Sequence, residues 1–269
     1  MNSTALVTGA SSGIGAEFAR QLAARGHDLV LVARSVEKLE SLAGELRGAH
    51  GVRAEVVVQD LAAPDAASRV AEEVAARGMT VDLLVNNAGF GTAGRFEEIP
   101  AEREHEELMV NVVSLVGLTH AFVPGMVARG GGAVVNVGST AGFHVAPYFA
   151  TYGASKSFVL NFSLALWSEY RGRGVKVLAV TPGPVETAFF DVIGTRAAAI
   201  GARMMTPDRV VRGALRALDR DRGYVVPGVG NLFMAHIVPD RPRRLSALIG
   251  RLVTRKVVET SSPVAAKTA

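Results

Sequence analysis

Seven short apolar runs set the tightest limit on what this chain can fold into. They lie at residues 5–8, 29–33, 54–59, 83–86, 133–137, 175–181 and 224–226. Most are near-continuous in Val, Leu and Ala rather than alternating, the pattern of strands covered on both faces, as in a parallel sheet. Between them come amphipathic stretches at 14–25, 36–47, 65–77, 103–128, 152–172 and 207–219. This alternation predicts right-handed crossovers and an α/β fold: a doubly wound parallel sheet of about seven strands with helices on both faces. The 269 residues, 49% of them hydrophobic, suffice for one large core. No linker-like or repeated segment divides them. The expected organisation is one domain over 1–238, a basic amphipathic extension over 239–259 and a disordered tail over 260–269.

Composition narrows the chemistry. The chain has no cysteine, which removes disulfides, thiolate nucleophiles and thiolate metal sites. Its six histidines show no HxH or HxxxH spacing, so no metal centre is expected. The net charge of +4 comes mostly from arginines spread over helix faces, without aromatic–basic interleaving or a helix-turn-helix pattern. Nucleic acid is therefore not an expected partner. No run reaches the ~18 consecutive apolar residues of a bilayer span. The first strand begins too close to Met1 for a signal peptide, and a cytoplasmic location is the expectation.

The first strand runs into Thr8-Gly9-Ala10-Ser11-Ser12-Gly13-Ile14-Gly15, where a helix begins. Glycines let the backbone bend sharply and approach a pyrophosphate with no Cβ in the way. The helix N-terminus adds unpaired N–H groups and a favourable dipole. Further along stand Asp60-Leu61, Asn86-Asn87-Ala88-Gly89, Asn111 and Ser139. Tyr152-Gly153-Ala154-Ser155-Lys156 and Pro182-Gly183-Pro184-Val185-Glu186-Thr187 follow. With the GxxxGxG turn, these motifs in this order resemble the short-chain dehydrogenase/reductase family over about residues 4–230. The likeness is to a branch of NADPH-dependent ketoacyl and hydroxysteroid-type carbonyl reductases, and it implies a Rossmann-type fold.

Tyr152 and Lys156 stand four residues apart on one helix face. A free Tyr has a pKa near ~10, and an adjacent ammonium together with the positive nicotinamide ring of an oxidised cofactor is expected to lower it. Tyr152 then donates a proton to a carbonyl oxygen, or takes one from an alcohol. Ser139, at a strand's carboxyl end, hydrogen-bonds the same oxygen. Singly, each of these residues is ordinary; their joint order makes a catalytic set. The resemblance adds Asn111 as holder of a water that relays protons to Lys156, and gives Lys156 a contact to the nicotinamide ribose. It also implies cofactor contacts at Gly9, Ser11, Ser12, Gly13, Ile14, Gly15, Arg34, Asp60, Leu61, Asn87, Ala88, Gly89, Tyr152, Lys156, Pro182, Gly183, Val185 and Thr187.

Substrate contacts are expected from Ser139, Phe143, His144, Phe149, Phe189 and Phe190, with Tyr148 nearby and a lid over about 188–206 that includes Val192, Ile193, Met204 and Met205. Their Phe and Met content suits an apolar carbonyl compound: a ketone, a ketoacyl thioester or a steroid-like molecule. The expected activity is reduction by direct hydride transfer. The alternatives are an NADP-dependent alcohol dehydrogenase working oxidatively and a non-catalytic dinucleotide sensor. A homodimer or homotetramer is expected. In the extension, Leu245, Leu248, Ile249, Leu252 and Val253 form a stripe, with Arg243, Arg244, Arg251, Arg255 and Lys256 elsewhere. It covers the substrate mouth, packs in an oligomer or rests on an anionic membrane surface.

The cofactor preference yields a test. Relatives that use NAD carry an acid at the end of the second strand, to accept from the ribose 2′-hydroxyl. Here Ala33 fills that position and Arg34 follows, with a guanidinium suited to a 2′-phosphate. NADP(H) is therefore favoured over NAD(H). In equilibrium titrations, Arg34→Ala should weaken NADPH binding roughly ten- to a hundredfold and leave NADH nearly unchanged. Adding Ala33→Asp should favour NADH. Equal wild-type affinities, unmoved by Arg34→Ala, would contradict this.

Overall fold

The computed structural model describes residues 2–193, 204–237 and 242–260. The apolar runs form β1 (Thr4–Thr8), β2 (Asp28–Ala33), β3 (Ala54–Val58), β4 (Val81–Asn86), β5 (Gly132–Val137), β6 (Val175–Val180) and β7 (Tyr224–Val225). All pair in parallel, in the order β3-β2-β1-β4-β5-β6-β7. The chain winds outward from β1 to β3, then returns to lay β4 against the free side of β1. That reversal opens a crevice at the carboxyl ends of β1 and β4, where ligands bind in sheets of this kind.

The helices are α1 (Gly13–Ala23), α2 (Val36–His50), α3 (Ala66–Ala76), α4 (Ala101–Leu108), α5 (Ser114–Ala128) and α6 (Ala150–Tyr170). Then come the short α7 (Phe189–Ile193), α8 (Pro207–Asp219), α9 (Val229–Ile237) and α10 (Arg243–Thr260). Successive strand residues divide between two cores. Leu29 and Leu31 join Phe18, Leu39 and Leu215 under α1, α2 and α8. Val30 and Val32 join Val70, Leu118 and Met126 under α3 and α5. Because both faces are covered, neither alternate of a strand reads as polar in the sequence.

Three features depart from the sequence reading. The expected helix over 103–128 is interrupted by a π-helical turn at Met109–Val113. Such turns arise from one residue in excess of the regular spiral, and here the turn carries Asn111 inward to 1% exposure. Secondly, the continuous stretch Ala101–Ala128 contains an 18-residue window whose mean hydropathy, 1.6, would suit a membrane crossing by length and composition alone. A count of uninterrupted apolar residues passes over it. In this structure its α5 half packs on β4, β5 and α3. Thirdly, α10 buries Ser246 and Thr254 while Leu248 and Leu252 stay 62% and 74% exposed. A Cβ at Gly250 would meet the Val145 carbonyl oxygen at 2.9 Å and Pro147 Cδ at 3.0 Å. The helix thus lays a small-residue face on the segment before Tyr152 and turns its leucine stripe outward. The expected tail beyond Thr260, and residues 194–203 of the expected lid, lie outside the described residues.

A buried amide ladder ties the sheet to its helices. Asn136 pairs in register with Asn86 and accepts from its Nδ2 at 2.9 Å. Asn86 Nδ2 also donates to Thr119 Oγ1 of α5, and Asn136 Nδ2 donates to Ser163 Oγ of α6. Asn136→Ala strips buried partners of this ladder and should lower unfolding stability by about 1–3 kcal/mol. Urea denaturation checks this, and an unchanged midpoint would show the ladder to be energetically idle.

Candidate active site

At the crevice, the end of β1 is stitched to the end of β4. Thr8 Oγ1 donates to the Val85 carbonyl at 3.2 Å and accepts from the backbone N–H groups of Asn87 and Ala88 at 2.9 and 3.0 Å. Asn87 Nδ2 donates to the carbonyls of Thr8 and Gly9. Gly9 and Gly13 adopt φ of 64° and 55°, the left-handed region that favours glycine. A Cβ on Gly15 would lie 2.2 Å from the Gly9 carbonyl oxygen. Ser12 caps α1 in an extended conformation and makes no side-chain bond to the helix, so the first-turn N–H groups keep their capacity for an anion. Ser11 and Ile14 belong to the same turn. Thr187 closes over it: a Cβ on Gly13 would meet Thr187 Cγ2 at 2.9 Å.

The neighbouring strand ends carry the other expected cofactor residues. Ala33 is buried beneath an exposed Arg34 at the end of β2. Beyond β3, Asp60 accepts from the Ala62 N–H at 2.9 Å. Leu61 is buried, and its carbonyl accepts from Ser114 Oγ at 2.5 Å. After β6, the Pro182 carbonyl accepts from Thr140 N–H, and Val185 pairs with Met205 on the return from the lid. Gly183 packs so closely on α9 that a Cβ there would lie 2.4 Å from Asn231 Oδ1. Asn231 was not anticipated from the sequence. A glycine-lined turn, an uncapped helix N-terminus and a flanking guanidinium fit a phosphate-bearing dinucleotide.

Beside this cradle stand Ser139, Tyr152, Lys156 and Asn111. Ser139 opens a 3₁₀ turn at Thr140–Phe143 and accepts from the Ala141 N–H at 3.1 Å. That turn presses on α6, where a Cβ on Gly142 would meet the Lys156 carbonyl at 2.6 Å. Lys156 is 5% exposed, and its Nζ donates to the Val137 carbonyl at 3.1 Å. The same Nζ lies 5.8 Å from the centre of the half-buried Tyr152 ring. Asn111 Nδ2 donates to the Phe90 carbonyl and to Ser155 Oγ, while its Oδ1 accepts from Phe90 N–H. Ser155 Oγ in turn donates to the Tyr152 carbonyl at 2.8 Å. Gly89 is wedged between these groups, since a Cβ there would lie 2.7 Å from Asn111 Oδ1 and 3.2 Å from Lys156 Nζ.

Burial opposes the lowering of the Tyr152 pKa that Lys156 and an oxidised nicotinamide are expected to produce. Burial pushes the phenol up to about 12, against a hydrogen bond with Ser139 that pulls it down. Burial likewise pushes the Lys156 ammonium down to about 8. Loss of water outweighs every neighbour for both groups. The charge that acts on both was missed by the sequence reading: Glu107 of α4 raises the two pKa values. It is 0% exposed and is itself pushed up to about 7, chiefly by burial.

Around Tyr152 the walls are apolar. Ala93, Phe149 and Ile193 form a buried cluster with Ala146, Phe189 and the Tyr152 ring. Phe189 and Phe149 lie 5.5 and 6.4 Å from Tyr152 between ring centres, and Phe190 meets Phe189 edge-on. Tyr148 holds a φ of 65° four residues before Tyr152, a strain of about 1–3 kcal/mol, with its carbonyl bonded to Gly94 N–H. Phe143 and His144 instead join a second aromatic group. There Phe143 packs on Tyr224 and His236, neither anticipated from the sequence.

Comparison with known proteins agrees with this geometry. The sequence model described as short chain dehydrogenase matches residues 3–197. A very-long-chain 3-oxoacyl-CoA reductase of Mycosarcoma maydis is 38% identical over 83% of this chain, which spans 63% of that relative's length. A 7beta-hydroxysteroid dehydrogenase of Collinsella aerofaciens is 32% identical over 86% of this chain and 88% of its own. Among solved structures, a short-chain dehydrogenase from Sphingobium yanoikuyae in complex with NADPH superposes with a TM-score of 0.79 and 34% identity, covering 98% of both chains.

The packing at Gly91 gives a direct test of the geometry. A Cβ there would meet Tyr152 Cδ2 at 2.8 Å. Gly91→Ala should displace the ring and reduce turnover by about 100-fold without lowering the melting temperature appreciably. Unchanged turnover would mean that the Tyr152 position is not critical.

Proposed function

The chain belongs to the short-chain dehydrogenase family, and from that membership we propose that it is an NADP(H)-dependent carbonyl reductase for apolar substrates. The observation that carries this reading is the placement of the Tyr152 phenol, with the Lys156 ammonium 5.8 Å from its ring centre and apolar rings around it. When bound, the nicotinamide supplies a hydride to the carbonyl carbon. Tyr152 gives its phenolic proton to the oxygen on which charge develops, and Ser139 hydrogen-bonds that oxygen. Lys156 sits where its ammonium offsets the charge left on the phenolate. Asn111, fixed to Phe90 and Ser155, holds the water that returns a proton to Lys156.

The glycine turn, Thr187 and the N-terminus of α1 hold the pyrophosphate, and Arg34 in place of an acid favours a 2′-phosphate. That a similar structure holds NADPH supports the same preference here. The substrate reading rests on the apolar cluster at Tyr152 and on relatives named for 3-oxoacyl-CoA and hydroxysteroid chemistry. A ketone, ketoacyl thioester or steroid-like carbonyl is the substrate class. Reduction is the direction for which a similar 3-oxoacyl-CoA reductase is named, and Tyr152 can serve either direction, with the ratio of reduced to oxidised cofactor deciding between them. The leaning of α10 on residues 145–147 supports a role at the substrate mouth. Self-association is supported by Phe158, exposed on α6 and stacked on Phe162 at 5.5 Å.

Loss of NADPH absorbance against a panel of ketones, aldehydes, 3-ketoacyl thioesters and steroids tests the proposal. Tyr152→Phe should retain NADPH binding while turnover of the best substrate falls at least ~100-fold. Near wild-type turnover in that variant would remove Tyr152 as the proton donor. Turnover of none of the panel would overturn the reductase reading.

A further inference from the structure

Glu107 is the acid that α4 buries. Its neighbours Glu102 and Glu106 are exposed, Glu106 pairing with Arg103 at 2.9 Å, and the half-buried Glu104 accepts from Thr151 Oγ1. Glu107 is 0% exposed. Its Oε2 accepts two hydrogen bonds at 2.7 Å, from the N–H and the hydroxyl of Thr92. Its Oε1 is buried with no hydrogen-bond partner among the described residues. A carboxylate in that state is poorly solvated, and burial destabilises its ionised form. Packing alone would be better served by an apolar residue.

The position of the group explains its presence. Glu107 stands four residues before Asn111, in the last turn of α4 just ahead of the π turn that delivers Asn111 to the site. Thr92, its anchor, follows Gly91, which touches the Tyr152 ring. The charged groups that face it are Lys156 of α6, which attracts it, and Glu104 of its own helix, which repels it. Arg103 is turned away, onto the Phe90 ring and Glu106.

We infer that Glu107 is a positioning residue: its buried carboxylate supplies the negative charge that holds the protons of Tyr152 and Lys156 in place and so keeps Tyr152 in its proton-donating form. The inference rests on the reductase reading above. The rival role is structural, an anchor for the segment at Thr92.

Three variants separate the two roles. Glu107→Gln keeps the size and the acceptor for Thr92 but removes the charge. Without that charge Tyr152 ionises more easily, so the alkaline limb of kcat for carbonyl reduction should move to lower pH by at least about half a pH unit. Thr92→Val loses the anchoring hydroxyl, keeps the charge and should leave that limb in place. Glu107→Asp retains the charge and should restore much of the wild-type profile. A limb unmoved in Glu107→Gln, or moved equally in Thr92→Val, overturns the inference.

Melting temperature supplies a readout that needs no turnover. The folded-state pKa of Glu107 is raised, so its contribution to stability is present at low pH and lost as pH rises through about 7. Glu107→Gln should therefore melt above the wild type at pH 8, with the gap closing at pH 5. A panel without turnover overturns the reductase reading, whereas no melting gap at pH 8 overturns the inference about Glu107 whatever the activity.

Discussion

Lys156 carries an ammonium that is almost wholly withdrawn from water, and its surroundings are arranged to tolerate it. The Val137 carbonyl at the end of β5 accepts one of its protons. Glu107, 0% exposed, supplies the opposite charge. Only glycine fits at 89, where a side chain would occupy the space between Asn111 and the ammonium. The turn after Ser139 is held against the Lys156 backbone by the absence of a side chain at Gly142. Buried charge is tolerated when paired and hydrogen-bonded, and here the ends of β4 and β5, the helices α4 and α6 and the π turn converge to provide that. The phenol of Tyr152 lies within this arrangement, and its protonation state follows from it.

The dinucleotide cradle depends on a different constraint, the close approach of backbones. Gly9, Gly13 and Gly15 bring the first turn against Asn87, Ala88 and Thr187. Thr8 bonds the ends of β1 and β4 together at the point where the sheet order reverses. Both halves of the site therefore hang from the same crevice. One is fixed by sterics at glycine, the other by charge in a dry pocket.

The sheet and most of its helices were legible because strands buried on both faces leave continuous apolar runs. The glycine turn and the Tyr152–Lys156 pair were legible because their spacing is local. What escaped depends on long-range packing. The π turn at Asn111 adds a single residue to an otherwise regular helix, which no periodicity reveals. Glu107 is indistinguishable in sequence from Glu102, Glu104 and Glu106; only the fold decides which one faces Thr92. The outward leucines of α10 were legible as a stripe, but not which side of the helix the body would take. The loss of water that raises the Tyr152 pKa was not legible, because a neighbour's charge can be read from spacing whereas desolvation cannot.

The central claim is that burial keeps Tyr152 protonated. Carbon NMR of protein carrying ¹³Cζ-tyrosine reads this directly, and with four tyrosines in the chain the Tyr152→Phe spectrum assigns the signal. The account predicts that the Tyr152 resonance of the free protein stays at its neutral-phenol position through about pH 10, where a free tyrosine is half ionised. A phenolate signal with a midpoint below about pH 9 would contradict it.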